Sequence, residues 1–330
     1  MWAALFPGQG SQSVGMGRFL FDNFASARHL FEEASDAVQV DFKKLCFEDP
    51  KSTLQLTENT QPALLLVSMA TFNVVQETTP LQITAGAGHS IGEYAAIVAS
   101  GALKFTDAIR AVRARGQAMQ RAVPVGEGGM LAVMGLTEPQ VVKLCHWVEQ
   151  SSGFKPLEPA NFNAPGQIVI SGAQTAIDWA KINTASTATP KVTTPLADVF
   201  GPETPRLKLI PLTVSAPFHC SLMKPAEEEM RHVLSEISFS DAAWPIVQNV
   251  TALEAISGQT LRENLILQIS GPVRWTQCMS RLKSLHTTRM IEFGSGKVLS
   301  GLAKKIDSEA QPPFNINSLD DLKALEAALR

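Results

Sequence analysis

No two of the four cysteines in this 330-residue chain, Cys46, Cys145, Cys220 and Cys278, stand close enough to form a C-x-x-C pair. Such isolated thiols argue against a zinc site and against a disulfide scaffold, and they fit a reducing, cytoplasmic setting. Charge is equally dilute. The formal net charge is −3 and the isoelectric point is near 6.1, and Lys and Arg nowhere form the dense block that binds phosphate backbones or acidic lipid. Neither nucleic acid nor membrane is therefore an expected partner. No apolar run approaches the ~20 residues of a spanning helix. The strand-like WAALF begins at residue 2, so the basic and apolar regions of an export signal are not expected.

What the chain does have is an apolar content of 45% and a length beyond what one compact core usually holds. Helical patterns alternate with short apolar runs, the signature of an α/β fold with a largely parallel sheet. Strands are expected at 2–6, 83–88, 207–213, 245–249 and 288–293. The segment QPALLLVSMATFNVVQ at 61–76 carries no charge and has a proline in its first turn, which predicts a helix buried on most sides.

From Gly128 the character changes. MLAVMGL reads as a strand, Thr137 and Gln140 make a capping box, and NFNAPGQIVISG reads as a hairpin with a tight Ala-Pro-Gly turn. A helix then runs from Ala173 to about Ile182. With a closing strand, this pattern predicts a small α+β unit at 127–206, inserted between two parts, 1–126 and 207–330, of a larger α/β domain. Residues 183–205, rich in Thr, Pro and Ala without either period, predict a long irregular loop. Ser318 and Asp321 cap an amphipathic terminal helix.

Gly88-His89-Ser90-Ile91-Gly92 is a G-x-S-x-G elbow between a predicted strand and a predicted helix. A nucleophilic Ser90 would present Oγ at a helix N-terminus, where the dipole and the Ile91 N–H favour an oxyanion. A plain N-cap would use the same serine, so the choice turns on a base. Of the six histidines, His29 and His232 fall on charged amphipathic helices, His146 falls in the small unit, and His89 points away from Ser90 at the elbow. His219, in VSAPFHC, follows a strand and a proline, at a strand end where open α/β sheets keep their chemistry. Gly8-Gln9-Gly10 would let the backbone approach a substrate closely, although a structural turn would use the same glycines.

The helix expected from Thr106 holds three arginines. At about 100° per residue, Ile109, Ala111, Val112, Gly116, Ala118, Met119 and Val123 share one half of the wheel, and Arg110, Arg113, Gln117 and Gln120 share the other. Arg115 lands in the middle of the apolar half. A guanidinium aimed at a core requires an anion, from the protein or from a ligand.

FPGQGSQ (6–12), GHSIGEYAA (88–96), ARGQAMQ (114–120), NFNAPGQIVISG (161–172), PFHCSLMKPA (217–226), GPVRW (271–275) and EFGSGKVLSGL (292–302) occur in the order found in the malonyl-CoA:acyl-carrier-protein transacylases, which this chain resembles over nearly its whole length. The resemblance implies an α/β-hydrolase-like core with a mainly parallel sheet and an inserted small ferredoxin-like α+β subdomain. It implies ping-pong acyl transfer by a Ser90–His219 dyad, with oxyanion donors on the backbone N–H groups of Gln9 and Ile91 and a backbone carbonyl, that of Gln268, orienting His219. Arg115 falls where the family grips the free carboxylate of malonate, beside Met119. Phe218 falls where a ring fills the space that a methylmalonyl methyl would need. Asn161, Asn163 and Asn249 match the family's polar lining.

The partners so implied are coenzyme A thioesters and a holo acyl carrier protein with its phosphopantetheine arm, met by a monomer. No metal or redox cofactor is called for, since thioester exchange needs only a nucleophile, a base and an oxyanion hole. The scattered Lys191, Lys224 and Lys304 are the candidates for a carrier-docking patch. Ser295 stands where many relatives have proline, which should loosen a turn. Two rivals remain in view: a hydrolase with a true triad whose acid is Asp198 or Glu203, and a non-catalytic carrier-docking module that kept the fold.

Overall fold

The computed structural model describes residues 1–184, 199–200 and 206–329. Asp198, Glu203 and Lys191, and most of the loop expected at 183–205, lie outside the described residues.

Six strands form the larger sheet: β1 (Trp2–Phe6), β2 (Ile83–Gly88), β7 (Ile246–Val247), β8 (Glu254–Ala255), β9 (Arg289–Glu292) and β10 (Phe314–Asn315). Their order is β10-β9-β1-β2-β7-β8, and every pairing is parallel except β7 with β8. Central β1 is buried from Ala3 to Phe6, as a parallel strand covered on both faces must be. Register sets Phe6 beside Gly88. The C-terminal ends of β1 and β2 therefore lie side by side, the end at which such sheets bind ligands.

Helices α1 (Arg18–Asn23), α2 (Ala25–Val38) and α3 (Phe42–Phe47) follow β1, and α4 (Thr57–Thr78) packs beside α2 and α6 (Phe105–Ala122). The uncharged run in α4 is buried continuously from Thr60 to Thr71, as expected. Its start is not as expected, because the helix opens before residue 61 and Pro62 lies in its interior. Proline leaves the Glu58 carbonyl without its usual helical donor, and Arg113 Nη1 reaches that oxygen at 3.5 Å.

A second sheet holds β3 (Gly128–Met134), β4 (Leu157–Ala164), β5 (Gln167–Ala173) and β6 (Lys208–Pro211) in the order β4-β5-β3-β6, antiparallel throughout. Helices α7 (Glu138–Ser152) and α8 (Gln174–Thr184) share one apolar cluster with its strands, through Val141, Leu144, Ile177 and Ala180 against Leu131, Val133 and Ile170. The capping box at Thr137 and Gln140 forms, and Gly166 turns the hairpin with φ 70°. The strand expected at 207–213 belongs here and not with the larger sheet: β6 pairs with β3, so this sheet reaches past the expected boundary at 206. It supplies the closing strand expected of the small unit, and Pro211 is tolerated because β6 is an edge strand.

Under the larger sheet, Phe293 stacks on Phe6 with centroids 5.6 Å apart and meets Phe72 edge-on at 5.2 Å. The change Phe293→Ala should lower unfolding free energy by about 3–5 kcal/mol, read from urea denaturation.

Candidate active site

At the end of β2 the backbone folds back so tightly that a Cβ on Gly88 would lie 1.9 Å from the Gly92 carbonyl carbon, and one on Gly92 would lie 2.0 Å from Phe6 O. Both glycines of the G-x-S-x-G pattern are thus required by close approach. Ser90 between them takes φ 51°, a region uncommon for side-chain-bearing residues and frequent at strained functional turns. The turn opens α5 (Gly92–Ala99) and presents Oγ to His219.

Ser90 Oγ lies 2.8 Å from His219 Nε2. The other ring nitrogen, Nδ1, meets the carbonyl oxygens of Gln268 at 2.9 Å and Gly271 at 3.1 Å. Carbonyls only accept, so Nδ1 carries the proton and the Nε2 lone pair faces the serine. Burial, aided by the Arg115 charge, pushes the His219 imidazole down to about 3, which keeps it neutral. The place that a triad acid would take is held by two carbonyls.

Arg115, on α6, is 2% exposed, as its helical phase requires. Its partners are uncharged: Nη1 donates to Gln61 Oε1 at 2.8 Å, and Nη2 donates to Gln268 Oε1 at 2.9 Å and to Ser90 Oγ at 3.2 Å. Among the described residues no carboxylate comes within ion-pair distance of it. A buried guanidinium with amide and hydroxyl partners, placed beside the Ser90 hydroxyl, is equipped to hold an anionic group.

A cleft of about 650 Å³ opens over these groups. The larger sheet's side contributes Gln9, Ile91 and Met119, the second sheet contributes Met130, Asn161 and Asn163, and Phe218 closes the wall beside His219. The backbone N–H groups of Gln9 and Ile91 have no acceptor among the described residues. Asn163 Oδ1 meets His89 Nε2 at 2.8 Å, and burial keeps His89 below its ordinary range and so neutral.

Asn249 departs from expectation. It is fully buried and does not line the cleft; its Oδ1 accepts from Ser90 N and its Nδ2 donates to Gly88 O, each at 2.7 Å. Such bonds satisfy backbone groups that the tight turn leaves without helical or sheet partners. Lys224 is engaged at 2.8 Å by Glu227, and Ser295 Oγ sits 3.4 Å from Ser13 Oγ.

Sequence reasoning missed Glu93 and the Gln268 side chain. Glu93, fully buried in the first turn of α5, accepts from Asn249 N at 2.7 Å, Gln268 Nε2 at 3.1 Å and Gln248 Nε2 at 3.3 Å. Burial pushes its carboxyl up to about 7, against the pull of these hydrogen bonds and of Arg115. The available signal was its place in GEYAA: a carboxylate on a helix otherwise wholly apolar up to Val98.

The pH behaviour of His219 follows from its environment. A free imidazole titrates near 6.5 and the buried ring near 3, so the neutral base persists as pH falls through 6.5. Ring ¹⁵N shifts of His219 should hold the Nδ1–H tautomer pattern from about pH 8 to 5; a titration step near 6.5 would contradict both that tautomer and the burial of the ring.

Residues 4–190 match the acyl transferase domain family. The chain is 41% identical over 307 residues to the malonyl CoA-acyl carrier protein transacylase of Bacillus subtilis (strain 168), which covers 92% of this chain and 90% of that protein. It is 37% identical over 328 residues to the protein of the same name from Salmonella typhimurium, covering 99% and 98%. Among solved structures, an acyl carrier protein S-malonyltransferase from Vibrio cholerae O1 aligns with TM-score 0.88 at 37% identity, over 98% of this chain and 99% of that one. A malonyl-transacylase in complex with its type II PKS acyl-carrier protein aligns with TM-score 0.88 at 35% identity, over 99% of each chain. With a serine elbow, a neutral histidine and a buried arginine meeting in one cleft, and with these relatives, the chain belongs to the acyl transferase family, among the malonyl-CoA:acyl-carrier-protein transacylases.

Proposed function

We propose that this protein moves a malonyl group from malonyl-CoA to the phosphopantetheine thiol of an acyl carrier protein through a Ser90 acyl-enzyme. The observation that carries the reading is the position of Ser90 Oγ, 2.8 Å from His219 Nε2 and 3.2 Å from Arg115 Nη2. One hydroxyl is thus in reach of both a base and a carboxylate binder.

In the first half-reaction His219 Nε2 takes the Ser90 proton as Oγ attacks the thioester carbonyl. The backbone N–H groups of Gln9 and Ile91 donate to the resulting oxyanion. Collapse expels the coenzyme A thiolate, which leaves with the proton from His219, and Ser90 holds the malonyl ester. In the second half-reaction the pantetheine thiol gives its proton to Nε2, its sulfur attacks the ester, and Ser90 Oγ regains the proton. Carbonyl partners at Nδ1 fix the tautomer without adding a negative charge, so the base suits a thiol, which ionises more readily than water. This supports transfer over hydrolysis.

Arg115 would grip the malonyl carboxylate, giving the dicarboxylic group an advantage that acetyl lacks. Phe218 would oppose a methyl at the acyl α-carbon. The two-sheet plan, with β3 to β6 in strand–helix–strand–strand–helix–strand order, supports reading the inserted part as ferredoxin-like and the larger part as hydrolase-like. Asn161 and Asn163, on the second sheet's side of the cleft, would meet the amide-bearing arm.

Intact-mass measurement after brief exposure to malonyl-CoA should show a malonyl adduct that is absent in Ser90→Ala and is discharged by holo carrier protein. Accumulation of free malonate without an acceptor would overturn the reading in favour of a hydrolase. The variant Phe218→Ser should reduce the malonyl over methylmalonyl preference in kcat/KM by up to ~1–3 kcal/mol, the worth of one pocket methyl.

A further inference from the structure

We propose that Glu93 and the Gln268 side chain act together as a positioning pair that aims the Arg115 guanidinium at the donor carboxylate, and so set the preference for malonyl over acetyl. The inference rests on the acyl-transfer reading above and adds to it two groups outside the reacting set: a buried carboxylate and a side-chain amide.

The two amides that receive Arg115 are not equally held. Among the described residues Gln61 Nε2 has only a soft contact, 3.9 Å from Met119 Sδ. Gln268 Nε2 is enclosed by three oxygens: Ser90 O at 3.1 Å, Glu93 Oε2 at 3.1 Å and Asn249 Oδ1 at 3.4 Å. An amide nitrogen so surrounded cannot exchange places with its oxygen without setting acceptor against acceptor, and Oε1 is thereby fixed toward Arg115 Nη2. Of the three oxygens only that of Glu93 belongs to an ionisable group. The same Oε2 accepts from Asn249 N at 2.7 Å, and Asn249 in turn holds Ser90 N. Glu93 therefore anchors the guanidinium and the nucleophile's turn with one atom.

The Gln268 backbone carbonyl faces His219, a service any residue at 268 could supply, whereas the service to Arg115 needs the amide. Gln268→Met removes the amide and keeps the carbonyl. Glu93→Gln is isosteric but replaces one acceptor oxygen by a donor among three N–H groups.

The test compares kcat and KM for malonyl-CoA and acetyl-CoA in wild type and in each variant, with thermal melts to establish folding. In both variants the malonyl:acetyl ratio of kcat/KM should fall about tenfold or more, the worth of a hydrogen bond to a charged group, chiefly through a raised malonyl KM. General loosening of the elbow would depress both donors alike and leave the ratio in place. A folded Gln268→Met or Glu93→Gln enzyme with the wild-type ratio would overturn the inference while leaving acyl transfer intact. Absence of a malonyl adduct on the wild-type protein would overturn the functional reading and this inference with it.

Discussion

A guanidinium buried beside the Ser90 hydroxyl is the constraint around which this site is organised. Taking such a charge out of water costs several kcal/mol, and the fold offsets that cost with oxygens rather than with an ion pair. Gln61 and Gln268 supply amide oxygens, the Tyr94 ring lies 5.9 Å away, and the Glu93 carboxylate stands one amide removed. Had a carboxylate paired directly with Arg115, the charge would have been neutralised within the protein and lost to a substrate. Leaving it on neutral partners keeps its attraction available where the cleft opens.

The same charge shapes the base. His219 is buried against carbonyls, and the nearby cation further disfavours its protonation. A neutral histidine with a fixed Nε2 lone pair can accept the serine proton but is a weak base, a combination that suits the proposed exchange between thioester and oxyester. The geometry that unites these groups comes from the larger sheet. Parallel β1 and β2 end side by side, so Gln9 and Ser90 become neighbours, and the tight turn at Gly88 and Gly92 is stitched to the segment after β7 through Asn249. The second sheet adds the opposite wall with Met130, Asn161 and Asn163, so that the chemical groups and much of the lining come from separate sheets.

Much of this was legible in the residues because local constraints leave local marks. The elbow reads as Gly-x-Ser-x-Gly because a Cβ at either glycine would strike backbone; Arg115 reads as buried because 100° per residue sets it among Ile109, Val112 and Met119. The capping box at Thr137 and the hairpin turn at Gly166 are likewise decided within a few residues. Residues matching a known family in order added roles, such as that of the Gln268 carbonyl, which no single stretch could have suggested.

Other features depend on contacts between distant segments, and there the sequence was silent. A closing strand for the smaller sheet was expected, but that it lies beyond residue 206, in LKLIPL, depends on where the free edge of β3 meets the chain. Asparagine at 249 has the same composition whether it lines a cleft or props a turn; only the approach of β2 to the segment after β7 made it a prop. Glu93 looked like one polar residue at a helix start until Gln248, Asn249 and Gln268 converged on it. Sequence by itself determined the elbow, the buried arginine and the alternation of strands and helices, since each follows from sterics or periodicity within a few turns of chain. Tertiary structure alone decided the hydrogen-bond network behind them, because a buried polar group is satisfied by whichever donors and acceptors the fold brings within about 3 Å.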